Sequence, residues 1–234
     1  MSGSLFDIIG PIMIGPSSSH TAGAVRLGNL VRQIAQNPVQ EAKFILYNSF
    51  AKTYQGHGTD RGLLAGLLGL TVHDDQIRDA FELARKAGFT YKFSPFDGPN
   101  AYSPNTVKFQ LVLHNVKKGE PGSNKENPFT IVGHSIGGGR VYLSKINDYN
   151  VSLKGESPTL LLFYTDQPGM IWQVTKIIAS YNINIASLQC TREQRGGTAC
   201  MTILLDELLP EAGVKEVQQI PGMTHTLNMD KLPE

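Results

Sequence analysis

The sequence predicts an α+β protein in two parts, an N-terminal α+β domain over residues 1–155 and a βαββαβ module over residues 156–234. Three observations carry this expectation. Apolar residues recur at helical spacing early in the chain and at alternate positions after residue 105. A polar stretch, Lys154-Gly155-Glu156-Ser157-Pro158, separates two regions of different rhythm and reads as a linker. Beyond it, strand and helix patterns follow one another with short turns.

In the first part, Val25, Leu27, Leu30, Val31 and Ile34 form one stripe of a helix over about 21–36, and the Ser/Thr residues before it supply N-caps. Residues 44–47 read as a short buried strand. A second helix starts after Thr59 or Asp60 and carries Leu63, Leu64, Leu67 and Leu68. A third spans 76–86, with Gly88 as its C′ residue. Then the period changes: Val107, Phe109, Leu111 and Leu113 alternate with Lys108, Gln110 and Val112, as in a half-buried strand. Residues 117–128 are a polar loop, and 129–132 and 141–143 are strands around a glycine-rich turn.

In the second part, strand 159–165 leads through Asp166-Gln167-Pro168-Gly169 to a helix over 170–181, with Asp166 suited to its N-cap. Strand 183–190, a turn at Gly196-Gly197, strand 198–205, a helix near 211–217 and a strand near 223–228 complete a ferredoxin-like order.

Composition excludes several classes. A chain of 234 residues, 41% hydrophobic and 18% charged with a net charge of +1, has the balance of an ordinary soluble globular protein and offers no field for nucleic acid or an anionic membrane. The early apolar run is broken by Asp7, Gly10 and Pro11, so no signal peptide is expected, and no run reaches the roughly 20 residues of a membrane span. A cytoplasmic location is the default. Two cysteines, Cys190 and Cys200, are too few for an iron–sulfur cluster, which takes about four thiolates. They flank the Arg195-Gly196 turn, where they are expected to face each other as buried, reduced thiols.

Three motifs carry chemistry. Gly15-Pro16-Ser17-Ser18-Ser19-His20-Thr21 opens a helix, where free N–H groups attract a carboxylate and hydroxyls add donors. Gly56-His57-Gly58-Thr59-Asp60 sets an imidazole before a second helix, with a carboxylate near enough to orient it as a general base. Gly133-His134-Ser135-Ile136-Gly137 matches the Gly-x-Ser-x-Gly elbow of serine hydrolases, and Asp206 and His225 follow in triad order. An elbow leads into a helix, whereas Arg140-Val141-Tyr142-Leu143 favours a strand, so a glycine-rich β-turn facing a ligand is the better reading.

Taken together, these three motifs followed by a βαββαβ module with Asp166-Gln167-Pro168-Gly169 resemble the beta chain of iron–sulfur-dependent L-serine dehydratase over nearly the whole chain. The resemblance implies a lyase that converts L-serine to pyruvate and ammonia, with a [4Fe–4S] cluster held by a separate alpha chain and not by this one. It implies His57 or His20 as the base. Ser17, Ser18, Ser19, Thr21, Gly58, Thr59, Asp60, His134 and Ser135 would then line the substrate pocket. The first domain also resembles the allosteric substrate-binding domain of phosphoglycerate dehydrogenase, so the motifs hold either substrate or an effector. The C-terminal module resembles an ACT domain, which implies effector binding at Asp166, Gly169 and Asn182 and self-association. A purely regulatory amino-acid-binding subunit is the alternative reading.

Overall fold

The structure, a computed structural model, describes residues 18–233. Residues divide into two compact units, one ending at Asn147 and including Pro233, the other Asp148–Leu232. The break falls upstream of the polar 154–158 stretch.

The first unit begins with a π-helical turn, Ser18–Ala22, that runs directly into α1, Gly23–Ala35. This corrects the expected helix over 21–36 and its Ser/Thr caps: Ala22 at the cap position is itself helical, and no side chain caps α1. Next come β1 (Val39–Tyr47), α2 (Asn48–Thr53), α3 (Thr59–Leu68), a 3₁₀ turn (Asp75–Asp79) and α4 (Ala80–Lys86). Gly88 takes the left-handed conformation, φ 68°, that ends α4. The strands are β2 (Thr90–Phe96), β3 (Asn105–Leu113), β4 (Phe129–Gly137) and β5 (Arg140–Ile146).

These strands lie in the order β2-β1-β3-β4-β5, with β1 and β2 parallel and the other neighbours antiparallel. The sequence reading missed α2 and β2. In β2 most residues are exposed or half-buried, so no alternation marks it, and pairing to β1 defines it.

Helices α1 and α3 meet through glycine. A Cβ at Gly28 would stand 2.6 Å from the Leu63 carbonyl oxygen, and one at Gly66 would strike the Val25 carbonyl. Backbones approach this closely only without side chains between them. The other side of α1 lies on the sheet, where a Cβ at Gly133 of β4 would be 2.7 Å from Leu27. This stack brings the start of α1 beside the loop that precedes α3.

The second unit contains β6 (Tyr149–Leu153), β7 (Thr159–Thr165), α5 (Met170–Ser180), β8 (Ile185–Arg192), β9 (Thr198–Leu205), α6 (Glu211–Gln218) and β10 (Met223–Met229). Strands β10-β7-β9-β8 form an antiparallel sheet, the strand order of a ferredoxin-like βαββαβ module. Leu160, Leu162, Met201, Ile203, Val174, Ile178 and Val217 make its core.

Candidate functional site

The π-helical turn and the loop before α3 bring two histidines together. The rings of His20 and His57 lie 4.8 Å apart, centroid to centroid, at 36°. His20 Nδ1 is 3.1 Å from Ser19 Oγ, and its Nε2 is 3.2 Å from Ser49 Oγ. Phe50 meets the same ring edge-on at 5.4 Å. Burial, and after it the neighbouring His57, lowers the His20 pKa. His57 differs: its Nδ1 is buried and has no hydrogen-bond partner among the described residues.

Thr21 is buried and donates its hydroxyl proton to the His57 carbonyl oxygen at 2.8 Å, which ties the first motif to the second. Gly58 follows in the left-handed conformation, φ 67°, and turns the chain into α3. Thr59 is fully buried, and its Oγ1 has no hydrogen-bond partner among the described residues. Asp60 is buried too, and burial raises its pKa against the pull of the Arg61 backbone N–H, which it binds at 2.8 Å. The carboxylate expected to orient His57 therefore accepts from its own helix turn. Ser17 lies outside the described residues, and Ser18 opens the π-helical turn.

The third motif divides between the two faces of the sheet. Ser135 shares the face of Gly133, which α1 covers, and its buried Oγ has no hydrogen-bond partner among the described residues. His134 points the other way. Its Nδ1 lies 3.0 Å from Ser103 Oγ and 2.8 Å from Thr106 Oγ1, its Nε2 lies 2.6 Å from Ser144 Oγ, and Tyr142 stacks on it at 4.5 Å. Burial lowers its pKa. The structure thus brings Ser19, His20, Thr21, His57, Gly58 and Thr59 together, turns Ser135 to the helix-covered face, and leaves His134 in a separate network. Ser49 is the residue the sequence reading missed; it is 29 positions from His20, and no motif marks it.

The hydrolase alternative fails on geometry. Ser135 sits inside β4, which returns through Gly138 and Gly139, both at positive φ, into β5. That is a hairpin and not a strand-to-helix elbow.

In the second unit, a pocket of about 660 Å³ is lined by Tyr164, Asp166, Gln167, Pro168, Gly169, Met170, Ile171, Trp172 and neighbours on β8 and β9. Asp166 does not cap α5; Gly169, at φ 88°, holds that position. The Asp166 carboxylate instead accepts from Gly196 N–H at 3.1 Å and from Arg192 at 3.0 Å, and these contacts lower its pKa. Asn182 sits at the far end of α5, with φ 57°, and does not line the pocket.

Cys190 is exposed and Cys200 buried, both free. The register pairs Cys190 with Met201 and Cys200 with Thr191, so the two thiols point to opposite faces and do not face each other as expected. Burial pushes the Cys200 thiol up to about 12. Among the described residues no group of three or more His, Cys, Asp or Glu stands together as a metal site, so this chain's donors do not fit a [4Fe–4S] cluster. Among the described residues no helix is long and apolar enough to cross a membrane.

Comparison with known proteins adds the following. A family model described as "Serine dehydratase beta chain" matches residues 4–111, and an ACT domain model matches residues 159–222. The chain is 38% identical over 209 residues to the L-serine dehydratase beta chain of Peptoniphilus asaccharolyticus, covering 89% of this chain and 90% of that protein. It is 34% identical over 220 residues to a probable L-serine dehydratase beta chain of Bacillus subtilis, covering 94% of each. A D-3-phosphoglycerate dehydrogenase of Methanocaldococcus jannaschii is 29% identical over 206 residues, which is 86% of this chain and 36% of that enzyme.

Proposed function

We propose, from the premise that this chain belongs to the serine dehydratase beta chain family, that it is the beta subunit of a heteromeric L-serine ammonia-lyase. The reaction takes L-serine to pyruvate and ammonia. The observation that carries this reading is the His20–His57 pair, 4.8 Å apart, with the unpartnered buried hydroxyl of Thr59 beginning the helix next to it. In this reading His57 takes the α-proton. Loss of the β-hydroxyl as water leaves aminoacrylate, which tautomerises and is hydrolysed to pyruvate and ammonia. Hydroxyls of Ser17, Ser18, Ser19, Thr59 and Ser135 orient the substrate carboxylate, while Thr21, Gly58 and Asp60 hold the shape of the loop. His134 stiffens the sheet behind them.

The [4Fe–4S] cluster belongs, in this proposal, to the alpha chain. Two thiols on opposite faces of a hairpin supply no ligand set for it. The second unit takes an amino-acid effector in the pocket between Asp166 and Trp172. It associates with a second copy through the edge strand β8 and the exposed Ile171 and Trp172.

Anaerobic reconstitution with an alpha chain, followed by an assay for pyruvate from L-serine, tests the proposal. The isolated chain should be inactive. His57→Ala in the assembled enzyme should lower kcat by about 10²–10⁴ with assembly and cluster intact. Preserved turnover with an altered serine dependence would instead establish the second reading, a purely regulatory subunit. That reading is supported by the effector-sized pocket of the second unit and by the likeness to phosphoglycerate dehydrogenase.

A further inference from the structure

The sequence assigns no role to Ser49, the second residue of α2, yet contacts from a distant segment hold it in place. Its backbone N–H donates to the Pro104 carbonyl at 2.8 Å. The preceding Asn48 is left-handed, φ 53°, and its side-chain amide donates to the Tyr102 carbonyl at 2.7 Å and the Ser103 carbonyl at 3.2 Å. Asn48 and Asn100 also exchange amide hydrogen bonds of 3.1 and 3.2 Å. Left-handed backbone at a non-glycine residue costs free energy and persists where neighbours over-determine it. Here the 100–104 segment does so, and the result is a hydroxyl delivered to His20 Nε2 at 3.2 Å, with Phe50 of the same short helix against the ring.

We propose that Ser49 is a positioning residue: its hydroxyl fixes the His20 ring between Ser19 and Phe50, so that His20 holds the neighbouring His57 ring in register. This rests on the reading of His57 as the base. The chemistry follows from the two environments. A neutral imidazole has one donor and one acceptor nitrogen, and in His20 each faces a serine hydroxyl, which is suited to either role. His57 Nδ1 is buried and has no hydrogen-bond partner among the described residues. The rings lie 4.8 Å apart, so the orientation of the His20 ring sets the room left for the His57 ring. The 100–104 segment, far from both motifs in sequence, thereby controls the geometry of the pair.

The test uses the assembled alpha–beta enzyme and the full-length chain. Ser49→Ala should lower kcat about tenfold while KM for L-serine stays within about twofold, as expected for a misplaced group that does not touch substrate. Ser49→Thr, which keeps the hydroxyl, should recover most of the rate. In the ¹⁵N-histidine-labelled chain, Ser49→Ala should shift the His20 ring-nitrogen resonances, and Ser49→Thr should restore them. Unchanged kcat in Ser49→Ala, a rise in KM alone, no rescue by threonine, or unmoved His20 resonances would each overturn the proposal. The base reading fails separately, if His57→Ala turns over normally, because the His20 resonances report the Ser49 contact without reference to turnover.

Discussion

Thr21 Oγ1 donates a 2.8 Å hydrogen bond to the carbonyl oxygen of His57, and this one contact joins two motifs that are 36 residues apart. It fixes the loop whose side chain faces His20, so the distance between the imidazoles depends on a hydroxyl that touches neither ring.

Thr21→Val keeps the shape of the side chain and removes the donor. A partly buried carbonyl then loses its partner, at a cost of about 1–2 kcal/mol. Urea denaturation should show that loss, and the assembled enzyme should lose turnover with it. Thr21→Ser should restore both; equal stability for Val and Thr would show that the contact does not hold the loop.

Gly66→Ala should be more damaging than its size suggests. Its Cβ would strike the Val25 carbonyl, and backbone cannot swing aside as a side chain does. Overpacking of this kind costs about 1–3 kcal/mol. Gly119→Ala, in open space but at φ 95°, provides a control that carries only backbone strain. A melting temperature that falls less for Gly66→Ala than for Gly119→Ala would contradict the close α1–α3 contact.

Stability should fall as the solution is acidified through the histidine range. Burial, with His57 second, lowers the pKa of His20 from 6.5, and burial lowers that of His134. The unfolded chain therefore binds protons at these positions where the folded chain does not. Their contribution is full above about pH 6.5 and is lost as pH falls from that value down through their lowered folded pKa values. Asp60, raised by burial, works in the opposite sense, with its protonation favouring the folded chain in the lower carboxylate range. Urea midpoints at pH 7.5 and 5.5 should differ in this direction, and His134→Gln should reduce the difference.

Trp172, the single tryptophan, is 63% exposed and lines the second-unit pocket, so its fluorescence reports on that site. L-serine should change its emission saturably. Asp166→Ala, which releases Arg192 and the Gly196 N–H, should weaken the response about tenfold through loss of charge-assisted hydrogen bonds. An emission indifferent to amino acids would remove the effector role from this pocket.

Much of the architecture was legible because periodicity is a local property. The alternation of Val107, Phe109, Leu111 and Leu113 predicted β3, and the order of strands and helices after residue 158 predicted the βαββαβ module. Strand β2 was not legible, since its residues bury little and only pairing with β1 defines it. The site shows the same division. Motifs in the sequence singled out His20, His57 and the hydroxyls around them as candidates. Tertiary structure decided which of them meet. Side chains alternate across a strand, so Ser135 and His134, adjacent in sequence, serve opposite faces. Asp60 bonds its own backbone, Asn182 sits a helix length from Asp166, and Ser49 reaches His20 only because the 100–104 segment holds it there. Composition and spacing encode elements, whereas the meeting of side chains from distant segments is set by strand register and by how closely two glycine-faced helices approach.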